Sequence, residues 1–231
     1  MTLKENLIAA CKNIFYTQWT SVKKTIVPEA TDLQLGNHAG CFDEMAVLYA
    51  DLNGSTDMVD EFPWELSAEV YKSYLHCAAK IIKSNGGVIT AYDGDRIMAV
   101  FIGDSKNSDA VTAALEINYA LKYIVNPTFN EIYAARKYVI KHTIGIDVSP
   151  IRVARIGVKN DNDLVWVGRA ANHAAKLTSI VLPDFPIRVS NDVYKRLKDK
   201  LKPVDKNLWT WKTSDAMNDK IIWGTDAFIY M

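Results

Sequence analysis

The chain has 231 residues, 49% of them hydrophobic and 23% charged, which is enough for one sizeable core and excludes a disordered or collagen-like chain. Its 27 lysines and arginines balance 27 aspartates and glutamates, so no global basic field draws in nucleic acid and any anionic ligand must be held locally. Cys11, Cys41 and Cys77 lack metal-ligand spacing and follow no secretory signal, and no apolar stretch approaches a membrane span; a cytoplasmic protein with reduced, buried thiols is expected.

In chain order, about Leu3 to Lys24 predicts an amphipathic helix, followed by an irregular stretch through Pro28, Gly36 and Gly40. Residues 1–40 therefore read as a helical extension on a core domain spanning 41–231. A strand, Met45 to Leu52, opens that core. Ala68, Tyr71, Leu75, Ala78 and Ile82 recur at helical spacing and stop before Asn85-Gly86-Gly87. Val88 to Tyr92 and Arg96 to Ile102 read as strands of a hairpin closed by Asp93-Gly94-Asp95. Asp109 caps a second predicted helix, which Pro127 breaks. Tyr138 to Val148 and Ile151 to Ile156 read as strands flanking Ser149-Pro150; Leu164 to Val167 continues the sheet, and Ala170 to Ile180 is a helix. Beyond Pro183 the expectation is a strand at Ile187 to Ser190, a helix from Asp192 to Lys200 and a last strand around Phe228. The order is βαββαβ with additions: an α+β, ferredoxin-like split unit in which helices cover one face of an antiparallel sheet.

Asp51 is the first chemical signal, because a carboxylate in an apolar strand needs a cation, hydrogen-bond donors or solvent. The turn after it, Asn53-Gly54-Ser55-Thr56, offers backbone N–H groups to an anion, and hard divalent cations prefer oxygens shared between carboxylates and phosphates. The bland alternative is an aspartate that ends a strand and organises a turn. Asp95 is the second signal. Its hairpin should adjoin the Asp51 strand, so two carboxylates meet at one sheet end, where two Mg²⁺ or Mn²⁺ ions about 3.5 to 4 Å apart would satisfy both.

Three separated segments carry a family resemblance. Val47-Leu48-Tyr49-Ala50-Asp51-Leu52-Asn53-Gly54-Ser55-Thr56, Gly86-Gly87 through Gly94-Asp95 to Phe101, and Ile144-Gly145-Ile146-Asp147 through Val167-Gly168-Arg169-Ala170-Ala171-Asn172-His173-Ala174-Ala175-Lys176-Leu177 resemble the blocks of class III adenylate and guanylate cyclases. The resemblance spans about Ala46 to Ile180. It implies a catalyst that converts a nucleoside triphosphate to a 3′,5′-cyclic monophosphate and pyrophosphate with two divalent metal ions, Mn²⁺ or Mg²⁺. Asp51 and Asp95 would bind the metals with the Leu52 carbonyl, and Asn53, Gly54, Ser55 and Thr56 would hold the triphosphate. Asn172 would position the ribose and Lys176 would stabilise the transition state, both supplied by the partner of a homodimer. Lys176 stands where the family usually has arginine, so it keeps the charge and loses the bidentate fork. None of His38, His76, His142 and His173 is required as a base. Arg155 and Lys212 are candidates for the terminal phosphates.

The family's two purine-reading positions fall at Ala91 and Val165, whose side chains cannot hydrogen-bond. Tyr49 shares the strand face of Asp51 and could lie against a base, while the Arg96 guanidinium suits uracil carbonyl oxygens or phosphate oxygens equally. Tyr49 filling core and Arg96 pairing with a structural carboxylate remain alternatives. This pattern resembles the bacterial anti-phage pyrimidine cyclases, which make cyclic UMP or cyclic CMP; UTP is the favoured substrate, and the resemblance implies a cyclic-nucleotide-sensing effector reached through the product. An adenylate cyclase with unorthodox base contacts, or a degenerate nucleotide-binding module, are the competing readings.

Overall fold

The computed structural model describes residues 1–202 and 208–231. The chain divides into two compact units, Met1–Glu44 with Pro150–Gly168, and Met45–Ser149 with Arg169–Met231.

In the first unit a capping box between Thr2 and Glu5 opens helix α1, Leu3–Tyr16. The helix stops short of Lys24 because Thr17 caps it and strand β1, Thr20–Lys23, pairs in parallel with the start of β2, His38–Asn53. No α1 side chain is buried. Cys11 is therefore exposed rather than buried, and Cys41 and Cys77 are half-buried. β5 runs unbroken from Lys141 to Val158 through Ser149 and Pro150. β6 spans Asp161–Val167 and pairs antiparallel with the end of β5.

The second unit holds the split βαββαβ order. After β2 come α2 (Ser55–Glu61), α3 (Trp64–Ser84), β3 (Val88–Asp93), β4 (Arg96–Phe101), α4 (Lys106–Ala120), α5 (Asn126–Ile132) and β5. Then follow α6 (Arg169–Ser179), β7 (Ile187–Ser190), α7 (Asn191–Lys195), β8 (Thr210–Thr213) and β9 (Ile221–Thr225). The strand order is β3-β4-β2-β5-β7-β9-β8, and the sheet is mixed because β5 and β7 run parallel.

Several boundaries differ from expectation for physical reasons. α3 buries Leu66, Val70, Tyr74, Ala78, Ile81 and Ile82, while Ala68 is exposed: the tyrosine belongs inside because its hydroxyl reaches buried His142. Asp109 is not the cap of α4 but lies in its first turn, where its carboxylate accepts from the Ser105 hydroxyl and interacts favourably with the positive end of the helix dipole. Pro127 does not end the helical region, since α4 passes through a π turn, Leu121–Val125, into α5, whose first turn tolerates proline. The helix expected from Asp192 to Lys200 is only α7, followed by a 3₁₀ turn at Asp199–Leu201. Phe228 lies in no strand. The chain there is held by Asn118, which donates to the Asp226 and Ala227 carbonyls, and by the rings of Tyr119, Tyr123 and Tyr230.

Strand alternation gives the sheet two chemically different faces. Ala46, Leu48, Ala50 and Leu52 of β2, Ile97, Ala99 and Phe101 of β4, and Ile144, Ile146 and Val148 of β5 join α3 and α4 in the main core. The opposite face carries Tyr49, Asp51, Arg96, Gly145, Asp147 and Arg188. There α6 lies against β5 so closely that a Cβ on Gly145 would stand 2.2 Å from the Ala174 carbonyl oxygen.

His142 titrates inside the core. Its Nδ1 lies 3.1 Å from the Tyr74 hydroxyl and its Nε2 3.2 Å from Asn118 Oδ1; because the Asn118 amide nitrogen already donates to two carbonyls, Nε2 carries the proton and Nδ1 accepts. Burial, with a smaller contribution from Lys122, depresses its pKa from 6.5 to about 3. Between these values the unfolded chain binds a proton that the folded chain excludes. This contribution to stability is complete above the unfolded pKa and is lost as pH falls. Urea unfolding should show about 2 kcal/mol lost between about pH 7 and pH 5, and His142→Gln should flatten that slope; an equally steep slope in the variant would contradict the assignment.

Candidate active site

Extending the β2–β4 register, in which Tyr49 faces Met98 and Ala50 faces Ile97, sets Arg96 opposite Asp51. Arg96 Nη2 donates to Asp51 Oδ2 at 2.8 Å, and the Asp51 side chain is 19% exposed. Burial raises the Asp51 carboxyl above its ordinary range, Arg96 opposes that, and Asp95 and Asp93 add to it. The β3–β4 hairpin turns through Gly94 at φ +61°, where a two-residue turn favours glycine, and places Asp95 beside this pair. Asp95 Oδ2 and Arg96 Nε are buried with no hydrogen-bond partner among the described residues. An orphaned carboxylate oxygen beside a second, partly desolvated carboxylate fits a divalent cation, so the residues present suit the metals the family uses. Among the described residues no three histidine, cysteine or carboxylate side chains gather into a metal cluster; a cation here would complete its shell with substrate oxygens and water.

Tyr49 is half-buried on the same face and absent from the main core, and burial raises its hydroxyl pKa. Leu52 turns its side chain into that core. Asn53 is exposed, yet its side-chain amide is engaged at both ends: Nδ2 donates to the His142 carbonyl at 3.2 Å, and Oδ1 accepts from Thr143 Oγ1 at 2.8 Å. Its side chain thus fixes the turn to β5. Gly54 at φ +71° turns the chain into α2, whose first intrahelical bond runs from Met58 N to the Gly54 carbonyl, so Ser55 and Thr56 lie in the turn whose amides have no intrahelical partner.

Helix α6 buries Ala170, Ala171, Ala174 and Leu177 and exposes Asn172 and Lys176, one turn apart. Three groups from the sheet fix it. Gly145 allows the close approach. Asp147, fully buried, lies 3.3 Å from both Arg169 Nε and His173 Nδ1, and Arg169 also donates to the Val148 carbonyl and Asp192 at 2.7 Å each. Arg188, also buried, donates to the Leu177, Ile180, Leu182 and Phe185 carbonyls at the other end of α6; burial lowers its pKa to about 10, so it remains charged near neutrality. Arg96, Arg169, Asn172, His173 and Lys176 line one open depression of about 610 Å³, and Lys176 Nζ rests 3.3 Å from the Ala216 carbonyl.

Ala91 is exposed on β3, and Val165 is exposed on β6. Arg155 is bound to Asn162 and the Leu33 carbonyl, and Lys212 is on the exposed strand β8; neither lines the depression. The structural roles of Asp147, Arg169 and Arg188 were missed from the sequence. Asp147 had the signal already used for Asp51, an acid within an apolar strand, whereas Arg188 binds only backbone carbonyls and leaves no side-chain pattern to read.

The profile of the adenylate and guanylate cyclase catalytic domain matches residues 38–217. The uridylate cyclase of Burkholderia cepacia is 49% identical over 203 residues, 87% of each chain, and that of Xanthomonas perforans is 45% identical over 225 residues, 96% of each chain. The crystal structure of the guanylyl cyclase Cya2 superposes with a TM-score of 0.68 at 22% identity, over 80% of this chain and 93% of that one.

Proposed function

The chain belongs to the adenylate and guanylate cyclase catalytic domain family and is a nucleotide cyclase; from that premise we propose that it converts UTP to 3′,5′-cyclic UMP and pyrophosphate. The carrying observation is the pairing of Tyr49 and Arg96 on the Asp51 face with Ala91 and Val165 at the purine-reading positions, in a chain nearly half identical to two uridylate cyclases. Exposed alanine and valine side chains give a purine edge no hydrogen bond, and a polar base edge left unread weakens discrimination by orders of magnitude. Arg96 offers donors to the acceptor oxygens of uracil, and Tyr49 offers a ring face.

In this proposal the ribose 3′-hydroxyl gives up its proton to solvent water as its oxygen bonds to the α-phosphorus, the bond from that phosphorus to the bridging oxygen breaks, and pyrophosphate leaves with that electron pair. Asp51, Asp95 and the Leu52 carbonyl would hold two divalent cations, Mn²⁺ or Mg²⁺, which when bound lower the pKa of the attacking hydroxyl and neutralise the departing pyrophosphate. The backbone of Asn53, Gly54, Ser55 and Thr56 holds the triphosphate. Asn172 orients the ribose, and Lys176 neutralises charge at phosphorus in the transition state, both reaching the site of a second copy in a homodimer. Residues 1–40 extend this catalytic domain, and the cyclic product signals to a separate sensor, as in the anti-phage systems the sequence resembles; a purified cyclic-nucleotide sensor binding the product and not UTP checks that last step.

Steady-state kinetics test the base reading. Tyr49→Ala and Arg96→Ala should each lower kcat/KM for UTP by about tenfold to a hundredfold. Unchanged UTP kinetics in both would overturn it.

A further inference from the structure

One group is claimed by two parts of this site. Arg96 is the only cation paired with Asp51 among the described residues, at 2.8 Å from Oδ2 of that carboxylate, yet it also lines the depression that carries Asn172 and Lys176. Its Nε is buried without a partner, so the guanidinium has one good bond here and an unsatisfied donor. Asp95 Oδ2 is buried without a hydrogen-bond partner as well, so Arg96 makes its hydrogen bond to only one of the two carboxylates. A guanidinium and a divalent cation cannot share one face of a carboxylate oxygen, because their charges repel and their donor directions coincide.

We propose that Arg96 is an exchangeable counter-ion: in the metal-free protein it neutralises Asp51, and a divalent cation arriving at Asp51 displaces it toward the depression, where it becomes available to the acceptor-rich base of the nucleotide that Asn172 and Lys176 serve in the second copy's site. The inference rests on the metal role of Asp51 and the base-reading role of Arg96 proposed above. Metal loading and base recognition are then linked through one side chain. Metal binding at Asp51 frees the base reader, and by reciprocity a ligand that holds Arg96 in the depression strengthens metal binding. The long, flexible arginine side chain suits such an exchange, since its aliphatic stem can stay on the sheet while the head group moves.

The test is Mn²⁺ binding to the purified full chain without nucleotide, read as the electron paramagnetic resonance signal of free Mn²⁺. Arg96→Met should bind Mn²⁺ about tenfold or more tightly than the unsubstituted chain, because the metal no longer has a competitor. Lys176→Met removes a cation from the same depression that is not paired with Asp51, and should leave Mn²⁺ affinity within about twofold. Equal or weaker binding by Arg96→Met, including no measurable binding, overturns the proposal, as does an equal gain in Lys176→Met, which would reduce the effect to general charge. Asp51→Ala separates the two layers: if it binds Mn²⁺ as well as the unsubstituted chain, the metal role of Asp51 has failed, independently of what Arg96 does.

Discussion

Replacing Asp51 by alanine is expected to lower turnover about a thousandfold or more, roughly 4 kcal/mol of transition-state stabilisation, with the fold retained. Asp51 sits on the sheet face opposite the main core, so its loss opens no apolar cavity there; it removes a carboxylate that Arg96 already neutralises and whose own pKa burial raises. Thermal unfolding of the variant should therefore remain cooperative and near the parent midpoint. The same variant tests the assembly. If Asn172 and Lys176 act in the partner's site, an equimolar mixture of Asp51→Ala and Asn172→Ala chains recovers activity that neither has alone, because one of the two composite sites in a mixed dimer is intact. A mixture as inactive as its components would place Asn172 and Asp51 in the same chain's site. An Asp51→Ala enzyme with near-normal turnover would remove the metal assignment altogether.

Gly145→Ala should be strongly destabilising. The added Cβ would lie 2.2 Å from the Ala174 carbonyl oxygen and 2.7 Å from Leu177 Cβ, and a helix backbone cannot yield as a side chain end does. Helix α6 must move away from β5, stretching the Asp147 contacts to Arg169 and His173 at one end and the Arg188 bonds to carbonyls at the other. The expected cost is about 3 kcal/mol, a fall of about 6 to 12 °C in the unfolding midpoint for a chain of this size. Activity should fall further than stability explains, since Asn172 and Lys176 ride on the displaced helix. An unchanged midpoint would show that α6 is not held at this distance.

These two residues mark the line between what the sequence reveals and what it hides. Asp51 was legible because a charge inside an apolar strand contradicts burial, and the Asp93-Gly94-Asp95 turn was legible because hairpin chemistry is local. The βαββαβ order followed from the same local signals. Gly145 gave no warning: a glycine between two isoleucines reads as a weak spot in a strand, and only the position of α6 shows why no side chain fits. Arg188 was silent because its partners are backbone carbonyls from residues 177 to 185. The face of α3 was read correctly at Tyr71, Leu75, Ala78 and Ile82, but Tyr74 was left off it because the partner of its buried hydroxyl, His142, lies far along the chain. The strand pair β8–β9 was missed in part because every residue of β8 is exposed and carries no alternating apolar signal. The proposed double use of Arg96 also needed coordinates. Its sequence position says only that it follows Asp95, whereas the register says that it faces Asp51.

The central claim is the base that the cyclase takes. Its most direct test is incubation of the purified chain with ATP, GTP, CTP and UTP separately, each with Mn²⁺, followed by mass identification of the cyclic product. Cyclic UMP formed from UTP, well above any product of the other three, is the expected result; cyclic AMP or cyclic GMP as the dominant product would contradict it.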